Sequence, residues 1–84
     1  MVRVLFFGRL RDLAGGAECA APLEGPIRLS ALRARIGAGD DALSAALEAP
    51  SLRVAVNASL LARGDDPEIQ HGDEVAFMPP FSGG

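Results

Sequence analysis

The chain has 84 residues, of which 49% are apolar and 23% charged, with a formal net charge of −3, a composition that excludes a disordered tail or a collagen-like repeat. All eight basic residues are arginines spread along the chain without a cluster, which argues against nucleic acid as a partner. No apolar run approaches the roughly 20 residues that cross a bilayer, and the first residues lead directly into a strand pattern, so we expect no membrane partner and a cytoplasmic location.

The first predicted elements are two strands. Residues 2–7 are rich in β-branched and aromatic side chains, which predicts a short strand at the centre of a sheet. Glycines at the end of residues 12–16 predict a turn, so residues 17–23 are expected to form a weaker strand that completes a hairpin with the first.

One or two short helices follow. Three apolar residues after Pro26 recur at the spacing of one helix face and precede Gly37 and Gly39, where the helix is expected to end; they are Leu29, Leu32 and Ile36. A second, shorter helix is expected after Asp40 or Asp41, either of which can cap it, and before Pro50.

Three further strands complete the predicted fold. Residues 53–57 alternate in polarity, residues 60–61 can return as a short strand, and residues 74–78 form the last strand, with Ile69 as an isolated apolar anchor between them. The order predicts an α+β roll with a mixed five-stranded sheet crossed by the helices. We expect residues 1–84 to form one domain, with 79–84 as an extended tail.

The first and last strands also predict an apolar patch. Pleating places Leu5 and Phe7 on the face of the sheet opposite to Val4, and it places Met78 on that same face. If the helices cover the other face, the patch is either a docking surface or is covered by loops.

Four stretches of the sequence carry a family resemblance: VRVLFFGRLRDLAG at the start, ALR in the first helix, VAVN in the third strand and GDEVAFMPPFSGG at the end. In these stretches the sequence resembles the small, sulfur-carrying subunits of molybdopterin synthase, which are ubiquitin-like β-grasp proteins of the MoaD/ThiS type. Met78 stands where the family often has phenylalanine, and Phe81 where it usually has a smaller aliphatic residue. Met78 is apolar and adaptable enough to fill the same place.

The resemblance implies a chemistry for Gly84, with Gly83 beside it. An adenylating enzyme related to ubiquitin-activating enzymes would use ATP and magnesium to convert Gly84 to an acyl-adenylate. A sulfurtransferase would then supply the sulfur of a thiocarboxylate, and cyclic pyranopterin monophosphate would accept it. The chain itself is expected to bind no cofactor or metal and to be inactive without a large subunit that carries the catalytic groups, together forming a heterotetramer.

The expected partner-binding residues lie on the patch and in the tail: Leu5, Phe7, Arg11, Met78, Pro79, Pro80, Phe81 and Ser82. Arg11 has an alternative role as part of a solvated loop. The lone cysteine, Cys19, is expected to pack as a small apolar side chain, and His71 is expected to be a solvated turn residue.

Other functions share the Gly-Gly ending. One is a sulfur carrier for thiamine, cysteine or tRNA thiolation, and another is a ubiquitin-like modifier that is attached to lysines of other proteins. The absence of lysine prevents chains built on this protein's own side chains but leaves single attachment open.

Overall fold

Seven strands and three helices make up the part of the chain that the computed structural model describes, residues 1–79. In chain order they are β1 (Val2–Phe6), α1 (Arg9–Ala14), β2 (Glu18–Ala21), β3 (Ile27–Arg28), α2 (Leu29–Gly37), α3 (Asp41–Leu47), β4 (Arg53–Val56), β5 (Ser59–Leu60), β6 (Glu68–Ile69) and β7 (Glu74–Met78). No helix in residues 1–79 is long and apolar enough to cross a bilayer.

Five of the strands form one mixed sheet in the order β2-β1-β7-β4-β5. β1 and β7 are parallel, and the other neighbours are antiparallel. A parallel pair requires a long crossover, which the helices and the remaining strands supply between the two central strands. The predicted α+β fold with a mixed five-stranded sheet is therefore confirmed.

The core lies between one face of this sheet and the helices. Its fully buried side chains come from both layers: Val2, Val4, Val75, Phe77, Leu29, Leu32, Leu47 and Ile69. The rings of Phe6 and Phe77 stack in this layer with centroids 6.2 Å apart. Each such side chain stabilises the fold by about 1.5–3 kcal/mol through removal of its apolar surface from water.

Helix α1 was not predicted, because its closing glycines resemble those of a hairpin turn. Gly15 adopts φ 80° and ψ 16° and ends the helix. Its N–H donates to the carbonyl of Asp12, and the N–H of Gly16 donates to the carbonyl of Arg11, as in a glycine-capped helix end. Leu10 anchors the helix to the core. The expected antiparallel pairing of β1 with β2 is still present.

A second, two-stranded sheet lies beneath α2 and was also missed. Ile27 of β3 pairs with Ile69 of β6, so the predicted isolated anchor is a buried strand residue. Asp66, from the loop before β6, accepts hydrogen bonds from the N–H of Ser30 at 2.7 Å and from its hydroxyl at 2.8 Å. Both bonds lower the pKa of Asp66, and the bond from the N–H of Ser30 has the larger effect. A distant loop thus caps the first turn of α2.

Helices α2 and α3 pack closely at Gly37. A Cβ added to Gly37 would lie 2.8 Å from the Cα of Ser44 in α3. The first turn of α3 is itself capped by Asp40, which accepts a 3.0 Å hydrogen bond from the N–H of Leu43. The role of glycine at position 37 is therefore to allow the two helices to approach each other closely, and not to adopt an unusual backbone angle.

We expect Gly37→Ala to lower the free energy of unfolding by about 1–3 kcal/mol, since the added methyl would collide with backbone atoms that cannot move alone. Urea denaturation of both proteins measures the change. Gly25→Ala is the matched control, because a Cβ there meets nothing within 4 Å. Equal stability of the two variants would contradict the proposed close packing.

Candidate docking face and tail base

The face of the five-stranded sheet that the helices leave uncovered, called the open face below, carries an apolar row. Leu5 of β1 pairs with Ala76 of β7, and Ala76 also pairs with Ala55 of β4 on its other side. Ala55 in turn pairs with Leu60 of β5. Directly paired residues project from the same face of a sheet. The row therefore crosses four strands from β1 to β5, with small side chains at its centre and a leucine at each end.

Two larger side chains extend the apolar row toward the end of β7. Phe7 follows β1, and its N–H donates to the carbonyl of Phe77 at 3.1 Å, which continues the β1–β7 ladder. Phe7 and Leu60 are each 48% exposed, whereas Leu5 and Met78 are half-buried. Exposed apolar side chains that share one face are typical of a docking surface.

The open face contains three of the predicted partner-binding residues. Leu5, Phe7 and Met78 share this face, and Phe7, at 48% exposure, is not covered by any loop of residues 1–79. Their role in binding stays a prediction. Leu60 was missed as a member, although the register of β4 with β5 assigns it to the same face as Ala55.

A tight turn places Leu60. Asn57 and Ala58 have φ values of 50° and 68°, the left-handed angles of a two-residue hairpin turn. The amide group of Asn57 donates to a carboxylate oxygen of Asp73 at 3.0 Å and accepts from the N–H of Glu74 at 2.9 Å. The bond from Asn57 is the main reason that the pKa of Asp73 is lowered.

Charged side chains border the apolar row at one end. Arg3 donates from Nε to Glu18 at 2.9 Å and from a terminal nitrogen to Glu74 at 3.1 Å. The hydrogen bond with Glu18 raises the pKa of Arg3 and lowers that of Glu18. Because the three side chains are exposed, these ion pairs contribute little to stability and form a polar rim.

The base of the tail lies beside the start of α1. Gly8 has φ 61° and ψ −136°, a combination that residues with a Cβ avoid. A Cβ on Gly8 would lie 3.0 Å from Cγ of Pro79. Pro79 follows β7 and is exposed, and its ring fixes its own φ. Glycine at position 8 thus allows the chain after β7 to pass close to the chain after β1.

The remaining predicted site residues have different outcomes. Pro80, Phe81, Ser82, Gly83 and Gly84 lie outside the described residues.

Arg11 is exposed on α1, close to the tail base, and not in a loop.

The expectation for Cys19 is wrong: it is exposed because β2 is an edge strand. Partial burial, and secondarily Glu18, raise the pKa of its thiol. Within residues 1–79, no three histidine, cysteine, aspartate or glutamate side chains lie close enough to hold a metal ion.

Comparison with known proteins gives a consistent result. A family model described as the ThiS family matches residues 4–84. The chain is 39% identical over 84 residues to the Escherichia coli K12 protein named molybdopterin synthase sulfur carrier subunit, and both chains are covered in full. It is 36% identical over 85 residues to the Haemophilus influenzae protein of the same name, again with 100% of each chain covered.

A solved structure supports the fold. The solution structure of small archaeal modifier protein 1 from Methanosarcina acetivorans matches with a TM-score of 0.80 and 23% identity, over 99% of this chain and 95% of that one. This likeness confirms the ubiquitin-like β-grasp fold.

We expect Gly8→Ala to displace Pro79 as well as to strain the backbone, at a total cost of about 2–4 kcal/mol of unfolding free energy. Amide NMR signals of Phe81 to Gly84 should shift relative to the unsubstituted protein. Gly15→Ala is the matched control: Gly15 also has a positive φ, but a Cβ there meets nothing within 4 Å. That variant should lose about 1–2 kcal/mol of unfolding free energy and leave the tail signals in place. Identical spectra for the two variants would contradict the close contact between Gly8 and Pro79.

Proposed function

Because the chain belongs to the ThiS family, we propose that it is the sulfur carrier subunit of a molybdopterin synthase. The observation that carries this proposal is the likeness, over the whole chain, to two proteins of that name. The family match also continues to Gly84, so it includes the Gly-Gly ending as well as the folded part.

The proposed reaction begins at the carboxylate of Gly84. A carboxylate is a poor electrophile, so one of its oxygens first attacks the α-phosphate of ATP on an adenylating enzyme, and magnesium pyrophosphate leaves. A sulfide-level sulfur from a sulfurtransferase then attacks the acyl carbon and AMP leaves, which yields a thiocarboxylate. Two transfers from such tails to cyclic pyranopterin monophosphate build a dithiolene.

The residues of this chain suit the role of carrier. Glycine has no Cβ, so Gly83 and Gly84 fit a channel too narrow for side chains and leave the acyl carbon unhindered. Pro79 restricts the start of the tail, which reduces the conformational entropy lost when it binds. Residues 81–84 can reach about 13 Å when extended, enough to enter the active site of another subunit.

The open face is the proposed contact surface for the large subunit. The two side chains that extend the apolar row, Phe7 and Met78, lie beside the tail base, because they flank the point where the chain leaves β7. A partner that covers the row therefore also receives the tail. The catalytic groups belong to that partner in this proposal, and two copies of each subunit form the heterotetramer.

We expect the protein, co-expressed with an adenylating enzyme and a sulfurtransferase, to gain the mass of one oxygen-to-sulfur exchange at Gly84. Intact-protein mass spectrometry measures this change. Deletion of Gly84 should abolish both the mass gain and molybdopterin formation with a large subunit, whereas Gly25→Ala should retain both.

An unmodified tail under those conditions would refute the carrier role. A thiocarboxylated tail that supplies a thiazole synthase or another thiolation enzyme, and not the large subunit, would assign the chain to a different pathway. Covalent conjugates on a denaturing gel would instead identify a protein modifier.

We expect Phe7→Asp and Leu60→Asp each to weaken binding to the large subunit about tenfold or more, since both place a charge within the apolar contact surface. Isothermal titration calorimetry with the purified large subunit measures the affinity. Leu13→Asp is the control: Leu13 is also exposed, at 38%, but lies on α1. Equal losses in all three variants would exclude a specific role for the open face.

A further inference from the structure

A pocket of about 170 Å³ lies at the side of the molecule where α2 and α3 meet the β4–β5 edge of the sheet. Its lining includes buried apolar side chains from three elements, Leu29, Leu47 and Val54. The loops at residues 48–52 and 61–65 form much of the rest of its wall. The proposed carrier role makes no use of this pocket.

Three of the eight arginines converge on this pocket. Arg33, Arg53 and Arg63 all line it, although they are far apart in the sequence. Arg53 donates to the carbonyl of Leu61 at 3.2 Å, and Arg63 donates to the carbonyl of Pro50. Each of these bonds uses one of the five N–H donors of a guanidinium, so it restrains the side chain and leaves other donors available to a ligand.

Arg33 carries a donor without an acceptor. Its Nε is buried and has no hydrogen-bond partner among residues 1–79, while the side chain as a whole is 24% exposed. Buried polar groups in folded proteins are almost always paired, and an unpaired donor beside a charge is costly. Because Nε has almost no accessible surface, an acceptor in the pocket reaches the partly exposed guanidinium through its terminal nitrogens.

The acidic side chains of the pocket offset only part of the charge of the three arginines. Glu48 forms a long ion pair of 3.9 Å with Arg33, and its side chain is 60% exposed. A carboxylate oxygen of Asp65 accepts from the N–H of Ala62 at 3.1 Å. The lining thus holds three guanidinium groups and two carboxylates, and Asp66, which lies outside the lining, also interacts electrostatically with Arg33.

The size of the pocket restricts the ligand. Its volume is well above the roughly 10–15 Å³ that one water requires and below the roughly 300 Å³ at which sites for drug-sized ligands begin. A phosphate or a short carboxylate fits within it. Guanidinium groups bind both through paired N–H donors.

We infer that this pocket is a binding site for a small oxyanion, held by Arg33, Arg53 and Arg63. A terminal nitrogen of Arg33 donates to the anion from α2, Arg53 from the start of β4, and Arg63 from the loop after β5. The inference is independent of the sulfur-carrier proposal, because it concerns binding by this chain alone.

Titration of the ¹⁵N-labelled full-length protein with sodium phosphate, and separately with sodium succinate, tests the site at constant pH and ionic strength. We expect saturable NMR shifts of Arg33 Nε–H and of the amides of residues 61–65 with at least one of the two anions. Arg33→Gln and Arg63→Gln should each weaken binding about tenfold, as expected for loss of a hydrogen bond to a charged group.

Arg35→Gln is the matched control, because Arg35 also donates to a backbone carbonyl, that of Pro22 at 3.0 Å, but lies outside the pocket. It should bind as the unsubstituted protein does. Arg63 is exposed, so its variant keeps the test valid if Arg33→Gln fails to fold. Shifts that do not saturate with either anion, or equal losses in the Arg63 and Arg35 variants, would overturn the inference and leave only water in the pocket.

Discussion

The parallel pairing of β1 with β7 is the constraint on which the rest of this structure depends. Val4 lies opposite Val75 and Phe6 opposite Phe77, and these side chains form the centre of the core. Because the strands run in the same direction, the end of β7 lies beside the end of β1. The position of the tail base next to Gly8 therefore follows from the core and not from the tail itself.

The same strands build the core and the open face. In β7, Val75 and Phe77 point to the helices while Ala76 and Met78 point away from them. A shift of one residue in register would exchange the two sets. The buried set therefore holds the exposed set in place, and the small side chains of Ala76 and Ala55 leave the middle of the open face flat enough for another surface to approach.

Features that depend on local patterns could be predicted from the sequence. Alternation within β1 and β7 was sufficient to place Leu5, Phe7 and Met78 on one face, and the terminal motif was sufficient to suggest the family.

The missed features depend on contacts between distant segments or on ambiguous residues. Leu60 required the register set by the Asn57 turn, and the cap on α2 required Asp66, which lies far along the chain. The convergence of Arg33 with Arg63 has no local signature, and Gly15 with Gly16 fits a turn as well as a helix end.

The central pair also joins distant parts of the chain. It pairs residues as far apart as Arg3 and Glu74, which are separated by 71 positions, so its closure costs more chain entropy than the local contacts within the helices do. The open face exists only after this step, because both of its central strands must be in place. If the proposed carrier role holds, an enzyme that recognises the open face before it modifies the tail would distinguish folded chains from unfolded ones.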